Sequence, residues 1–190
     1  PSARSGRASV PDPAAPSSHD VAIAMNADTF GIGILGTGIM GRRMMGALQQ
    51  HPRCRVVAAW DPDPRALQAA LAQAPGVSAA PDAHSLVNDK AIDWVYVASP
   101  PAWHAQAVRG VLSARKACFC EKPLTHDIAE AEALREAVAQ SGLPFAVNFP
   151  FARGTASCRM QQIVQGGDLG TIRSATVRLR FGRWRRGGGV

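Results

Sequence analysis

The sequence predicts an α/β fold built on a doubly wound parallel sheet, and three observations carry that reading. From Phe30 onward, short apolar runs alternate with segments of helical period. The runs are apolar along their length, as strands covered on both faces are. A glycine-rich turn joins the first run to the first helical segment.

Taken in order, strands are expected at 30–35 (FGIGIL), 55–60 (RVVAAW), 77–80, 93–98 (DWVYVA), 117–120 (ACFC) and 145–149 (FAVNF). Helices are expected between them at 39–50, 63–73, 82–88, 102–114 and 126–141, with a last one at 154–166. In the first helix Met40, Met44 and Leu48 recur at i, i+4 and i+8, the spacing of a buried face. Asp127 and Glu130 open the fifth as a D-x-x-E capping box. Residues 171–181 (TIRSATVRLRF) follow a different rule. Val177, Leu179 and Phe181 alternate with Thr176, Arg178 and Arg180, a period of two that suits an antiparallel sheet with one open face. This is expected to be the first strand of a truncated α+β antiparallel-sheet domain. The expected organisation is a disordered tail over 1–27, rich in Pro, Ser and Ala. An α/β domain follows over 28–150, and the incomplete start of a second domain over 151–190.

Charge and composition remove several functions. The net charge is +7, but six arginines and no acid lie in 173–190, and residues 25–172 hold 13 bases against 12 acids. A near-neutral body with a basic end is not a nucleic-acid binder by charge. The arginines around Trp184 read as the polar face of a strand. No apolar run approaches the roughly 20 residues of a membrane span, and Val21–Met25 is too short for a signal-peptide core. Cys54, Cys118, Cys120 and Cys158 have no C-x-x-C spacing, which points to reduced thiols in the cytoplasm and to no metal site.

The chemistry starts at Gly36-Thr37-Gly38-Ile39-Met40-Gly41, a G-x-G-x-x-G that follows a strand and opens a helix. Gly36 permits the tight turn, Gly38 admits a pyrophosphate to the backbone, and Gly41 allows close helix–sheet packing. Asp61 stands 20 residues beyond Gly41 at the end of the second strand, placed to accept the adenosine ribose hydroxyls and to repel a 2′-phosphate. NAD is therefore expected, with NADP less favoured. Ser99-Pro100-Pro101 with His104 follow the fourth strand, and Glu121-Lys122-Pro123 follow the fifth. All three clusters sit at carboxyl ends of strands and converge on one crevice.

Together these motifs resemble the Gfo/Idh/MocA (glucose–fructose oxidoreductase/inositol dehydrogenase) family of oxidoreductases. The likeness runs from about Phe30 to the end of the chain, with Glu121-Lys122-Pro123 as its most specific element. The resemblance implies a Rossmann domain that binds NAD or NADP, then an open antiparallel sheet that forms part of the substrate pocket and a subunit interface. It places Lys122 near the nicotinamide and the reacting carbon of a sugar, cyclitol or related alcohol, with Glu121, Ser99, Pro100 and His104 around the nicotinamide riboside. A cation there stabilises developing alkoxide character and helps the hydroxyl proton leave.

Two features depart from the family pattern. Relatives carry an arginine shortly after the sixth strand, where this chain has Asn148-Phe149-Pro150-Phe151 before Arg153. The family also supplies a D-x-x-x-H segment from the second domain, and no histidine follows His126. The acid/base partner of Lys122 is thus expected beyond Val190. The competing reading is a dinucleotide-binding module without catalysis. The chain starts at Pro1, and Met25 stands just ahead of the first strand, so folded protein is expected from near Met25. The stretch ahead of it is expected to be a tail or mis-assigned translation, and abundant peptides from before Met25 in mass spectrometry of the native N-terminus would sink the mis-assignment.

Overall fold

The computed structural model describes residues 29–178. The tail expected over 1–27 and the end of the strand expected at 179–181 lie outside the described residues. The chain divides into two compact units between Asn148 and Phe149.

The first unit alternates strand and helix: β1 (Phe30–Leu35), α1 (Ile39–Gln49), β2 (Cys54–Trp60), α2 (Pro64–Leu71), β3 (Ser78–Ala79), α3 (Ala83–Asn88), β4 (Trp94–Val97), α4 (Pro101–Ser113), β5 (Ala117–Glu121), α5 (Ile128–Ser141) and β6 (Phe145–Asn148). The six strands form one sheet in the order β3-β2-β1-β4-β5-β6, with every neighbouring pair parallel. That order is the doubly wound Rossmann arrangement, and its direction of winding reverses between β1 and β4.

Both faces of the sheet are buried. One core joins Ile32, Ile34, Val56, Ala59 and Tyr96 of the sheet to Met45 and Leu48 of α1 and Ala70 of α2. The opposite core joins Leu35, Val95, Val97, Cys118 and Cys120 to Leu86 of α3, Val108 and Val111 of α4 and Leu134 of α5. Helix starts are set by aspartates whose side chains accept the orphan amides of the first turn. Asp63 accepts Arg65 N at 2.9 Å, Asp82 accepts Ser85 N at 2.6 Å and Asp127 accepts Glu130 N at 2.8 Å. The D-x-x-E at Asp127 thus caps α5 through the aspartate, as its spacing predicts.

Two expectations change. The buried face of α1 is Gly41, Met45 and Leu48, whereas Met40 is 37% exposed. The helix is rotated because Gly41 lies against the turn that follows β1; a Cβ there would fall 2.0 Å from the Gly36 carbonyl oxygen. The second correction concerns 171–178, the described part of the expected strand. Residues 171–178 form neither strand nor helix, and Val177 is 78% exposed. A strand is held by ladder hydrogen bonds to a neighbour, and among the described residues of the second unit there is no strand to pair with. That unit holds one helix, α6 (Thr155–Gln165), with Met160 and Val164 exposed. Among the described residues no helix is long and apolar enough to cross a membrane.

The buried thiols make stability depend on alkali. Burial, and then the charge of Glu121, pushes Cys120 from 9.0 up to about 12. Burial raises Cys118 as well. The folded state keeps protons that the unfolded chain releases above pH 9, so this stabilisation is complete below pH 9 and is lost between 9 and about 12. Urea midpoints are expected to fall from pH 8 to pH 10.5, with a shallower fall for Cys120→Ala; a flat wild-type profile would contradict the assignment.

Candidate functional site

The turn after β1 is shaped by two glycines. Gly36 has φ of +93°, and a Cβ on it would lie 2.7 Å from the Ala98–Ser99 peptide at the end of β4. Gly41 rests on the Gly36 carbonyl, which brings the first turn of α1 down onto the sheet edge. Between them, Gly38 has nothing within 4 Å of its Cβ position, and no side chain caps α1. Amides at an uncapped helix start, beneath open space and beside the winding reversal, form a cradle for a phosphate.

The two sides of this cradle are tied by Asp61, just past β2. Its Oδ2 accepts Thr37 N at 2.6 Å and Thr37 Oγ1 at 3.1 Å, and its Oδ1 accepts Asp63 N at 2.9 Å. Thr37 is fully buried, and its carbonyl oxygen accepts Arg42 Nη1 at 3.1 Å. Asp61 therefore stands at the rim of the cradle, oriented before any ligand arrives.

Across the winding reversal, the ends of β4, β5 and β6 build a buried polar cluster. Glu121 is 5% exposed and pairs in register with Asn148. Its Oε1 accepts the Tyr96 hydroxyl and Asn148 Nδ2 at 2.7 Å; its Oε2 accepts Lys122 N at 3.1 Å. Burial, and then the hydrogen bond to Glu121, pushes the Tyr96 hydroxyl above its ordinary 10.0, so it remains the donor in this pair. The carboxylate holds the backbone of the residue that follows it, and Lys122 projects from that anchor with its side chain exposed.

His104 lies in the first turns of α4 and is fully buried. The sequence places it beside the cofactor. In the structure its Nδ1 is 2.8 Å from the Pro123 carbonyl and its Nε2 is 2.7 Å from the Ser99 carbonyl, so both ring nitrogens are engaged by backbone. Ser99 Oγ is buried without a hydrogen-bond partner. Pro100 caps α4, with Pro101 at its first position.

The structure thus brings Gly36, Gly38, Ile39, Met40, Gly41 and Asp61 to one side of the crevice and Ser99, Pro100, His104, Glu121 and Lys122 to the other. Three residues of the site are not singled out in the sequence: Thr37, a free position inside the G-x-G-x-x-G, Tyr96 and Asn148. Tyr96 is the single tyrosine of the chain, set in an otherwise apolar strand. A hydroxyl in such a place needs a buried partner, and that is the signal that finds it.

A family model described as an oxidoreductase family with an NAD-binding Rossmann fold matches residues 30–149, more than half of the chain. The chain belongs to the Gfo/Idh/MocA oxidoreductase family. Among curated members, the inositol 2-dehydrogenase of Mycolicibacterium gilvum is 29% identical over 141 residues, covering 73% of this chain and 40% of that protein. The dTDP-3,4-didehydro-2,6-dideoxy-alpha-D-glucose 3-reductase of Streptomyces violaceoruber is 30% identical over 147 residues, 77% of this chain and 43% of that one. A solved scyllo-inositol dehydrogenase of Lactobacillus casei, with bound NAD(H) and scyllo-inositol, superposes with a TM-score of 0.70 at 29% identity. The match covers 75% of this chain and 42% of that structure. The chain thus spans less than half the length of these Gfo/Idh/MocA members.

The residues present fit the family's dinucleotide. The open space over Gly38, the uncapped α1 and the unpartnered Ser99 Oγ are the features a bound dinucleotide would fill. The cluster beneath Lys122 is testable without it. Tyr96→Phe keeps the ring and removes one donor from a buried carboxylate, at an expected cost of about 1–3 kcal/mol. Urea denaturation measures this, and unchanged stability would show that the hydroxyl does not serve Glu121.

Proposed function

We propose that this chain binds NAD across the crevice between β1 and β4 and, within the whole protein, exchanges hydride between the nicotinamide and a hydroxyl-bearing carbon of a sugar, cyclitol or related compound. The observation that carries the reading is the convergence of an uncapped, glycine-lined helix start and an anchored Lys122 on opposite sides of one winding reversal.

In this reading Gly36, Gly38, Ile39, Met40 and Gly41 receive the pyrophosphate on backbone amides. Asp61 accepts the ribose hydroxyls near the adenine, and its charge disfavours a 2′-phosphate. Ser99 Oγ and the Pro100 backbone border the nicotinamide riboside, to which Glu121 is the nearest buried carboxylate. NAD supplies the hydride acceptor. Lys122 is the catalytic residue of this chain: its ammonium faces the substrate oxygen, stabilises negative charge as the O–H proton leaves, and relays that proton. Its anchoring by Glu121 limits the orientations it samples, which favours a defined distance to the oxygen.

The substrate class rests on the relatives, whose names specify inositols and a deoxysugar nucleotide. Residues 151–190 are read as the opening of a second domain that walls the substrate pocket and joins subunits into a homo-oligomer. The four free cysteines suit a cytoplasmic protein.

Titration of the chain with NADH and NADPH, followed by nicotinamide fluorescence, tests the cofactor. NADH is expected to bind at least about tenfold more tightly, and Asp61→Ala to narrow that gap. Absence of NADH binding at millimolar concentration would sink the proposal. In the whole protein, Lys122→Ala is expected to lower kcat on an inositol by about 10²–10⁴ while leaving NADH affinity near wild type. Unchanged turnover would remove Lys122 from the chemistry.

A further inference from the structure

We infer that His104 is a positioning residue: it latches the loop after β4 to the loop after β5 and so fixes Lys122 relative to the cofactor cradle. The inference rests on the role proposed above for Lys122, but its own evidence is geometric. His104 is fully buried, and each ring nitrogen faces a backbone carbonyl, Pro123 on one side at 2.8 Å and Ser99 on the other at 2.7 Å. A carbonyl oxygen only accepts, so each of these contacts is a hydrogen bond only where the ring nitrogen carries a hydrogen. A neutral imidazole has one N–H and would turn a lone pair toward the second oxygen. In either tautomer the ring N–H donates to one of the two carbonyls, and the ring spans the gap to the other. Both carbonyls belong to residues adjoining the site: Ser99, whose peptide packs on Gly36, and Pro123, the neighbour of Lys122.

The consequence is that Lys122 is held from both sides along the chain. Before it, Glu121 is fixed by Tyr96 and Asn148 and itself accepts Lys122 N. After it, the Pro123 carbonyl is fixed by His104, which rides on α4. The same ring holds Ser99, and Ser99 N lies 2.7 Å from the Cβ position of Gly36. One side chain thus sets the spacing between the nicotinamide side of the crevice and the lysine that serves it. The adenosine side, around Asp61 and Thr37, has its own bonds and does not include His104.

That asymmetry separates a latch from a residue that merely keeps the fold intact. Dissociation constants are to be measured by calorimetry for NADH and for ADP-ribose, the cofactor fragment without the nicotinamide ring, on the wild-type chain, His104→Leu and His104→Gln. His104→Leu removes the ring N–H at similar volume, and His104→Gln restores amide hydrogens. The expected result is a loss of NADH affinity of about tenfold or more in His104→Leu, with ADP-ribose changed less than about threefold, and partial recovery of NADH in His104→Gln. Equal loss of both ligands, or unchanged NADH affinity together with unchanged kcat on an inositol in the whole protein, would overturn the latch.

Nitrogen-15 spectra of the histidine rings give a second reading on the wild-type chain without any ligand, with the His104 signal assigned by its disappearance in His104→Gln. A His104 ring N–H protected from solvent exchange is expected; a ring hydrogen that exchanges freely with water would overturn the latch even where His104→Leu fails to fold. If the wild-type chain binds neither NADH nor ADP-ribose, the function proposed above fails, and the spectra still decide the latch.

Discussion

The placement of α1 against the turn after β1 is the constraint from which the first unit follows. With no Cβ at position 41, the helix backbone settles on the Gly36 carbonyl, and this contact fixes both the depth and the rotation of the helix. Rotation decides that Met45 and Leu48 enter the core while Ile39 and Met40 face outward above the turn. Depth decides that the uncapped amides of the first helical turn stand at the level of the strand ends. The core face and the cofactor cradle are thus two results of one close approach, and any side chain at 41 would displace both together.

On the far side of the winding reversal a different constraint operates, the burial of a carboxylate. Glu121 cannot be withdrawn from water without donors, and the sheet register provides them. Parallel pairing of β5 with β6 places Asn148 opposite Glu121, and β4 presents Tyr96 on the same face. The third donor is the amide of Lys122 itself. A buried acid held in this way orients the next residue through the backbone, so the lysine owes its position to groups that never reach a substrate. Raised as it is by burial, the Tyr96 hydroxyl stays a donor across the physiological range.

This division explains which parts were legible in the sequence. The alternation of strands and helices and the glycine turn are written in local patterns: continuous apolar runs, the D-x-x-E cap at Asp127, and a G-x-G-x-x-G with an acid at a fixed distance. Asp61 and Lys122 could be singled out because their neighbours along the chain announce them. A lone hydroxyl in an apolar strand marks Tyr96 only as needing a buried partner, and Asn148 carries no such mark, since their role arises through pairing between strands 25 and 27 residues from Glu121. The α1 face was misread for a related reason: a hydrophobic period cannot register that a glycine, with no apolar side chain, is the residue in closest contact. For 171–178 the error ran the other way. Alternation gives the faces a strand would have, but the strand itself depends on a partner, which a local pattern does not contain.

The two halves of the crevice also differ in how they are held, and this bears on how such a site works. The side around the glycine turn is closed by hydrogen bonds at the ends of two adjacent strands, Asp61 to Thr37, with Arg42 clasping the same turn. The side around Lys122 is assembled from β4, α4, β5 and β6, where His104 meets the Ser99 and Pro123 carbonyls and Glu121 accepts Tyr96, Asn148 and the Lys122 amide. A cofactor anchored by the first half is presented to a surface whose geometry depends on several elements packing together at once. Chemistry at such a surface needs its groups held to within about half an ångström. Buried, hydrogen-bonded side chains beneath an exposed lysine serve that demand, because they hold its backbone still and so narrow the orientations its side chain samples.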